Sequence, residues 1–551
     1  MSSANLFNDQ LNNAITALFK REYYAAYPEN PKAYAEGADA EGKTAFSKMM
    51  NTDFSELLQA GSNTRVGDEV SPYLQTGIGI KYPYFETETL IMHAKKAHQQ
   101  WKKTDINTRA AILIETLERF KTRFFEVAYA TMHTTGQSFM MSFQASGPHA
   151  ADRAMEAIAM GVVEQTRFPG AVEWKKNMGK FDLTLNKTWR TIPKGIGLVI
   201  GCSTFPTWNS VPGLYADLIT GNVAIVKPHP KAILPMAILV AEIQKVLKEK
   251  GYDPHICQLA ADSSADPITK KLAEHPDVKL IDYTGSTAFG MYIESIKNKE
   301  VFTENAGVNS VILDSANDLK AVMQNIAFSA CLYSGQMCTA PQNIFISKDG
   351  INTAEGNVPF DEAAQLLVQA VQGLVNNPKA GAPTLGTIQN ENTLKRAQNA
   401  GALGGKLLLE SGSIKNDEFE HARIASPAIL EVNASDKKIF QCEAFGPIVM
   451  IVKTSGLDES LALAKETAAN HGSITCLAYS TSEENKNKIA DEMNEAFTPV
   501  SFNFTGAAFV NQHAGFSDFH VTGGNPSGNA SFTNPEYITK RFVWVGNRSM
   551  A

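Results

Sequence analysis

Two residue types in this chain, a cysteine and a glutamate, are set where they could do chemistry. Cys338 lies in Ser334-Gly335-Gln336-Met337-Cys338-Thr339-Ala340, and Glu304 in Thr303-Glu304-Asn305-Ala306-Gly307, 34 positions earlier (338 − 304). Both sit among small and turn-forming residues rather than in an apolar stripe. A sulfur nucleophile and a carboxylate able to activate water are what acyl-transfer oxidation needs. Each also has an ordinary reading. A free cysteine commonly packs as a small hydrophobe, and a glutamate before a turn is commonly solvated. The small, polar surroundings of Cys338 favour an accessible thiol with backbone N–H groups near enough to stabilise a thiolate.

Three further features bear on ligands. Lys227 ends the apolar run Val223-Ala224-Ile225-Val226 just before Pro228-His229-Pro230, as either a snorkelling strand end or a phosphate contact. Thr284-Gly285-Ser286-Thr287-Ala288-Phe289-Gly290 reads as a strand-to-helix turn whose N–H groups could approach an anion. Neither it nor Gly195-Ile196-Gly197 satisfies the G-x-G-x-x-G fingerprint. With no G-x-S-x-G elbow and no H-E-x-x-H, serine hydrolases and zincins lose their usual anchors. The 11 histidines show no ligand-like spacing, so no metal is expected.

The elements that must position these residues read as alternating strands and helices. Short apolar runs at Ile196–Gly201, Val223–Lys227, Ile256–Ala260 and Val278–Tyr283 are separated by helical stretches at Pro212–Thr220 and about Leu234–Lys250. That pattern predicts a parallel sheet covered on both faces, with ligands at the carboxyl ends of its strands. A second α/β region follows from about Gly307, with strands at Ser310–Leu313, Asn343–Ser347, Ala444–Val452 and Ile474–Tyr479. Upstream, 86–161 has helical spacing, with a cap at Thr104-Asp105-Ile106-Asn107. Residues 1–75 are unevenly helical, with a break at Tyr27–Pro31 and a turn at Gly61-Ser62-Asn63. Lys180–Leu185 reads as a half-exposed strand, and Arg541–Val545 as an apolar edge that must pair with something, another subunit being the expectation.

Composition narrows the class. A chain of 551 residues needs two or three cores. Hydrophobic content of 44% with 19% charged residues describes a soluble globular protein. A formal charge of −7 argues against a nucleic-acid surface. Six scattered cysteines fit a reducing compartment. The N-terminal segment carries Asn8, Asp9 and Glu22, unlike a signal peptide. The apolar run Ala232–Ala241 falls far short of the roughly 20 residues that cross a bilayer. A cytoplasmic protein is the expectation.

Taken together, these segments resemble the aldehyde dehydrogenase superfamily over about residues 85–550, in order and spacing. Gly221–Pro228 is similar to its cofactor strand, Tyr283-Thr284-Gly285-Ser286 to its Gly-Ser turn, and Glu443-Ala444-Phe445-Gly446-Pro447 to the motif whose glutamate holds the nicotinamide ribose. Glu304 falls on its general base and Cys338 on its nucleophile. Within the superfamily the chain is most similar to the phenylacetate-degradation branch called PaaN, through Met132–Gln137, Glu304–Asn309 and His520–Pro526.

The resemblance implies a Rossmann-like NAD(P)-binding domain (76–171 and 191–306), an α/β catalytic domain (307–529), oligomerisation strands (172–190 and 530–551) and a helical N-terminal extension (1–75). It implies cofactor contacts from Ser203, Thr204, Lys227, Thr284, Gly285, Ser286, Phe289, Asn305, Glu443 and Phe445. The family's oxyanion-hole asparagine aligns with Thr204, and Asn209 lies nearby in sequence. A hydroxyl donates one hydrogen bond, so the hole keeps a donor of a different kind. The family's ribose-binding glutamate aligns with Pro230. Without that carboxylate, Lys227 could pair with a 2′-phosphate, so NADP is expected over NAD.

The implied activity is oxidation of an aldehyde to the acid, with a semialdehyde from aromatic-acid breakdown, free or linked to coenzyme A, as substrate. A dimer-based homo-oligomer is expected as well. Two alternatives stand beside it: a coenzyme A-acylating dehydrogenase, against which Glu304 speaks, and a non-catalytic dehydrogenase-like subunit, whose support is Thr204.

Overall fold

The computed structural model describes residues 3–59, 63–511, 515–516, 520 and 522–551. Residues 61 and 62 of the expected turn, and Val521 of the stretch that resembles PaaN, lie outside the described residues. A five-stranded parallel sheet runs in spatial order Glu300–Asn305, Val278–Gly285, Ile196–Ile200, Val223–Lys227, Cys257–Leu259. Its central strands are buried along their whole length, because helices cover both faces. Pro206–Ile219 and Leu234–Glu249 are two of these helices, and each starts with proline in its first turn. The first begins six residues before the expected Pro212, which it carries internally.

Gly197 and Gly213 are where this packing needs glycine. A Cβ on Gly197 would lie 1.8 Å from Asp217 Oδ2, and one on Gly213 would lie 2.4 Å from Asp282. The two glycines clear space for two buried carboxylates that grip Arg541. The Gly195-Ile196-Gly197 pair therefore serves packing.

A seven-stranded sheet holds the second core, in order Lys406–Leu409, Ala428–Asn433, Ile448–Thr454, Pro341–Ser347, Asn309–Leu313, Cys476–Tyr479, Val500–Phe502. Its pairings are parallel except at the first strand. The expected strand at Ala444 begins only at Ile448, since Gly446 takes φ +127° and Pro447 follows it.

A three-stranded antiparallel sheet joins Phe542–Met550, Asp182–Pro193 and Ala171–Asn177. The last strand is thus paired within the chain, from Phe542↔Pro193 to Met550↔Leu185. Its outer residues Val543 and Val545, with Ile192 across the pair, stay exposed.

The N-terminal extension is bound into the body of the protein. Helix Ala38–Met49 approaches Phe124–Thr135 so closely that a Cβ on Gly42 would lie 2.5 Å from Phe125 Cβ. The Gln59 side chain pairs with both backbone groups of Leu259, at 2.6 and 3.0 Å, and so closes the outer edge of the parallel sheet. The expected cap before Ile106–Lys121 is Asp105, which accepts from Thr108 N at 3.0 Å. No described helix is long and apolar enough to cross a membrane.

Candidate active site

Cys338 follows a backbone kink that the sequence pays for in conformation. Tyr333, Ser334 and Gly335 take φ of 53°, 50° and 61°, a left-handed run that non-glycine residues rarely adopt. Tertiary bonds hold it. Tyr333 Oη donates to Thr135 O at 2.7 Å, and Ser334 Oγ donates to Leu385 O at 3.0 Å. The Gln336 side chain donates to Tyr333 O and Thr387 O. Gly335 lies against Gly446, where a Cβ would meet Gly446 O at 2.4 Å, so the nucleophile turn and the Glu443 loop touch directly. Beyond Cys338, Asn309 Nδ2 donates to Cys338 O (2.7 Å) and Ala340 O (3.0 Å), while its Oδ1 accepts from Ile474 N and Thr475 N. The loop is fixed on both sides.

Glu304 ends the outer strand of the five-stranded sheet, and the surface reading of it is corrected: it is buried. Its Oε1 accepts from Asn209 Nδ2 at 2.7 Å and pairs with His520 Nε2 at 2.8 Å. Ligand atoms of Glu304, Cys338 and His520 all lie within 4.8 Å of one another. Burial opposes ionisation of Glu304, but His520, Arg153 and the Asn209 bond outweigh it and hold the carboxyl below its usual range. Cys338 is half-buried, and burial, then the Glu304 charge, then Cys202, push its thiol well up. That shift runs against the thiolate that the small, polar setting of Cys338 favours.

The two sequence-derived oxyanion candidates point elsewhere. Thr204 Oγ1 donates to Cys202 Sγ at 3.6 Å, and Thr204 O accepts from Gln137 Nε2. The Asn209 amide is committed to Glu304. Thr339 Oγ1, next to the nucleophile, is buried and has no partner among the described residues.

The cofactor candidates gather at the carboxyl ends of adjacent strands. Thr284 is in register with Glu304 and Gly285 with Asn305, and Ser203 and Thr204 follow the neighbouring strand that ends at Ile200. Ser286 stands exposed just before helix Thr287–Glu294, and Phe289 packs on Tyr283 and Tyr292. Asn305 Oδ1 is buried and has no hydrogen-bond partner among the described residues. Glu443 faces solvent, on a loop fixed by Arg396 donating to Phe445 O. These groups fit a nicotinamide dinucleotide.

Lys227, the residue behind the NADP expectation, is already paired. Its Nζ lies 2.7 Å from Asp262 Oδ1 in a buried ion pair and donates to Pro228 O at 2.6 Å. A second carboxylate, Glu69 from the N-terminal extension, accepts from Ile233 N (2.6 Å) and Leu234 N (3.0 Å) at the start of the adjoining helix.

Sequence reasoning missed Asp262, His520, Arg153 and Trp208. Asp262 follows an apolar strand, as Lys227 does, and that place was a signal. His520 lies 216 positions from its partner Glu304; it opens the stretch His520–Pro526 noted for its resemblance, but nothing there marked it as a partner of Glu304. It forms an edge-on contact with Trp208 (4.9 Å), whose ring is covered by the Arg153 guanidinium at 3.7 Å.

A half-buried thiol thus lies beside a clamped carboxylate, near the carboxyl ends of the strands of a parallel sheet. The chain belongs to the aldehyde dehydrogenase family, oxidoreductases that act on the aldehyde group, and the family model matches residues 72–538. The crystal structure of an NAD-dependent aldehyde dehydrogenase from Burkholderia multivorans is similar, with TM-score 0.97 and 42% identity over 100% of this chain and 99% of that one. The 1-pyrroline-5-carboxylate dehydrogenase of Bacillus licheniformis is 24% identical over 79% of this chain and 81% of its own length. FUS7 of Gibberella fujikuroi is 31% identical over 50% of this chain and 55% of its own, so the match spans about half of that relative. A 1-pyrroline-5-carboxylate dehydrogenase from Thermus with bound NAD shares the fold, with TM-score 0.76, 19% identity, and 96% and 99% coverage.

Proposed function

We propose that this protein oxidises an aldehyde to the carboxylic acid with NAD, using Cys338 as nucleophile and Glu304 as base. The observation that carries this reading is the buried Glu304 carboxylate, fixed through one oxygen by Asn209 and His520 and set within 4.8 Å of the Cys338 sulfur. The Cys338 thiol gives up its proton to solvent water as its sulfur attacks the aldehyde carbon, forming a C–S bond. Bound NAD would accept hydride from that carbon, with Asn305 and Glu443 among the groups that would hold it. The Glu304 carboxylate then takes a proton from water as the water adds to the thioester, and passes it to the departing Cys338 sulfur. The C–S bond breaks, the thiol is regenerated and the acid leaves.

The choice of NAD rests on Asp262 and Glu69. A 2′-phosphate would meet a lysine that already has a counter-charge and a helix N-terminus that already holds a carboxylate. The B. multivorans relative is named as NAD-dependent, which agrees.

Membership of the phenylacetate branch, with a semialdehyde from aromatic-acid breakdown, free or linked to coenzyme A, as substrate, rests on the resemblance of Met132–Gln137 and its companion stretches alone, and the apolar cavity wall at Cys338 disfavours the acid-bearing and coenzyme A-linked forms. Two of the relatives named above are 1-pyrroline-5-carboxylate dehydrogenases. The exposed edge at Ile192, Val543 and Val545 supports a dimer through the antiparallel unit, and six free thiols support a cytoplasmic setting. The test is kinetic. Cys338→Ala abolishes hydride transfer, while Glu304→Gln gives a burst of reduced cofactor and then stalls. Full steady turnover in Glu304→Gln would remove the carboxylate from its role.

A further inference from the structure

We propose that the cavity leading to Cys338 selects uncharged, apolar aldehydes with a bulky body and rejects aldehydes carrying a carboxylate or phosphate. This rests on the reading of Cys338 as nucleophile. The cavity has a volume of about 710 Å³ and reaches Cys338, in the range of sites that hold drug-sized ligands. Its wall is built from Met141, Met337, Trp208, Phe328 and Phe509, the last two in edge-on contact at 5.1 Å. Methionine and aromatic side chains give such a wall breadth of fit without polar demands.

The charges around the cavity decide the class. No lysine or arginine is among the described residues that line it. The charged and ionisable acid and histidine groups there are Glu29, Glu418, His149 and His520, and each has a partner of its own, His520 pairing with Glu304 at 2.8 Å. His149 Nε2 pairs with Glu29 Oε2 at 2.7 Å, and Glu418 pairs with Lys43 at 3.4 Å, the lysine standing outside the lining. Arg153 is held over the Trp208 ring and does not line the cavity. An anionic substrate group would lose its water and meet apolar surface or acidic side chains. The same argument disfavours a coenzyme A-linked substrate, whose phosphates require basic partners.

The inference also gives the N-terminal extension a task. Glu29 and Tyr73 both line the cavity, and Tyr73 Oη donates to Gln137 O at 3.0 Å. Residues 1–75 therefore form part of the substrate wall.

The test compares matched pairs on the full-length enzyme with NAD: hexanal against adipate semialdehyde, and benzaldehyde against terephthalaldehydic acid. The neutral member is expected to win in kcat/KM by on the order of 100-fold. Gln144→Lys, which places a cation in the wall, should narrow that gap by about tenfold. A wild-type enzyme that uses the acids within about threefold of the neutral partners would overturn the proposal. A second readout needs no turnover. Benzamide should protect Cys338 from iodoacetamide, and terephthalamic acid should not; equal protection also overturns the proposal. Failure of every aldehyde to reduce NAD would defeat the dehydrogenase reading instead, with the protection experiment still deciding the cavity's selectivity.

Discussion

Replacing Arg541 with methionine should destabilise the protein by about 3–5 kcal/mol, the cost of breaking a buried ion pair by removing one partner. The structure gives reason to use the full range. Arg541 is fully buried and donates to Asp217 Oδ1 (2.7 Å) and to both Asp282 oxygens (2.7 and 2.6 Å), with Nε on Tyr537 O. Its guanidinium also covers the Phe302 ring at 4.0 Å. Methionine keeps the volume but strands two carboxylates. Burial already pushes the Asp217 carboxyl up to about 7, with Arg541 opposing and Asp282 adding to the rise. Without Arg541 it moves further up. A folded-state acid raised above its unfolded value near 3.9 binds a proton that the unfolded chain lacks, so stability is lost as pH rises through that window. The deficit of Arg541→Met should therefore be larger at pH 8 than at pH 6, by roughly 1 kcal/mol. Urea unfolding followed by circular dichroism at both pH values measures it. A loss below about 1 kcal/mol at pH 8, or one that shrinks as pH rises, would refute the reasoning.

Two predictions concern the site. Asp262→Asn frees Lys227 from its counter-charge, so the NADP-to-NAD ratio of kcat/KM should rise about tenfold, with a matching change in cofactor binding by fluorescence; an unchanged ratio would mean that the pair does not set the preference. His520→Ala removes one of two partners on Glu304 Oε1 and should slow steady turnover roughly ten- to a hundredfold while leaving the burst amplitude intact, with partial rescue in His520→Gln. Equal loss from burst and steady state would show that His520 merely supports the fold.

The architecture was legible wherever burial writes directly into residue type. Parallel strands covered on both faces appear as unbroken apolar runs, so Ile196–Ile200 and Val223–Lys227 could be placed within a residue or two. Boundaries failed where one residue has two uses. Pro212 looked like a helix start because proline suits a first turn, yet Pro206 takes that place and Pro212 is carried inside. Glycines misled in a similar way. Gly197 stood in a near-miss to a phosphate-binding fingerprint, and its actual constraint is a carboxylate side chain from the helix that follows. A residue's steric reason is a contact, and the contact partner is not written beside it.

The same limit governs the site, and it falls unevenly. Cys338 and Glu304 could be read because their chemistry depends on their own identity and on short local turns. The groups that hold their protons could not, because electrostatic control comes from residues 95 and 216 positions away from Glu304, Asn209 and His520. Lys227 illustrates the consequence for inference. Read as a lone cation beside Pro230, it argued for NADP; read with Asp262 at 2.7 Å, the same lysine argues for NAD. A charge has no functional meaning until its counter-charge is known. For that reason cofactor preference and thiol state, the two properties set by counter-charges, are read differently once Asp262 and Glu304 are placed, whereas the proposed nucleophile and base rest on bond-making atoms that the sequence names directly.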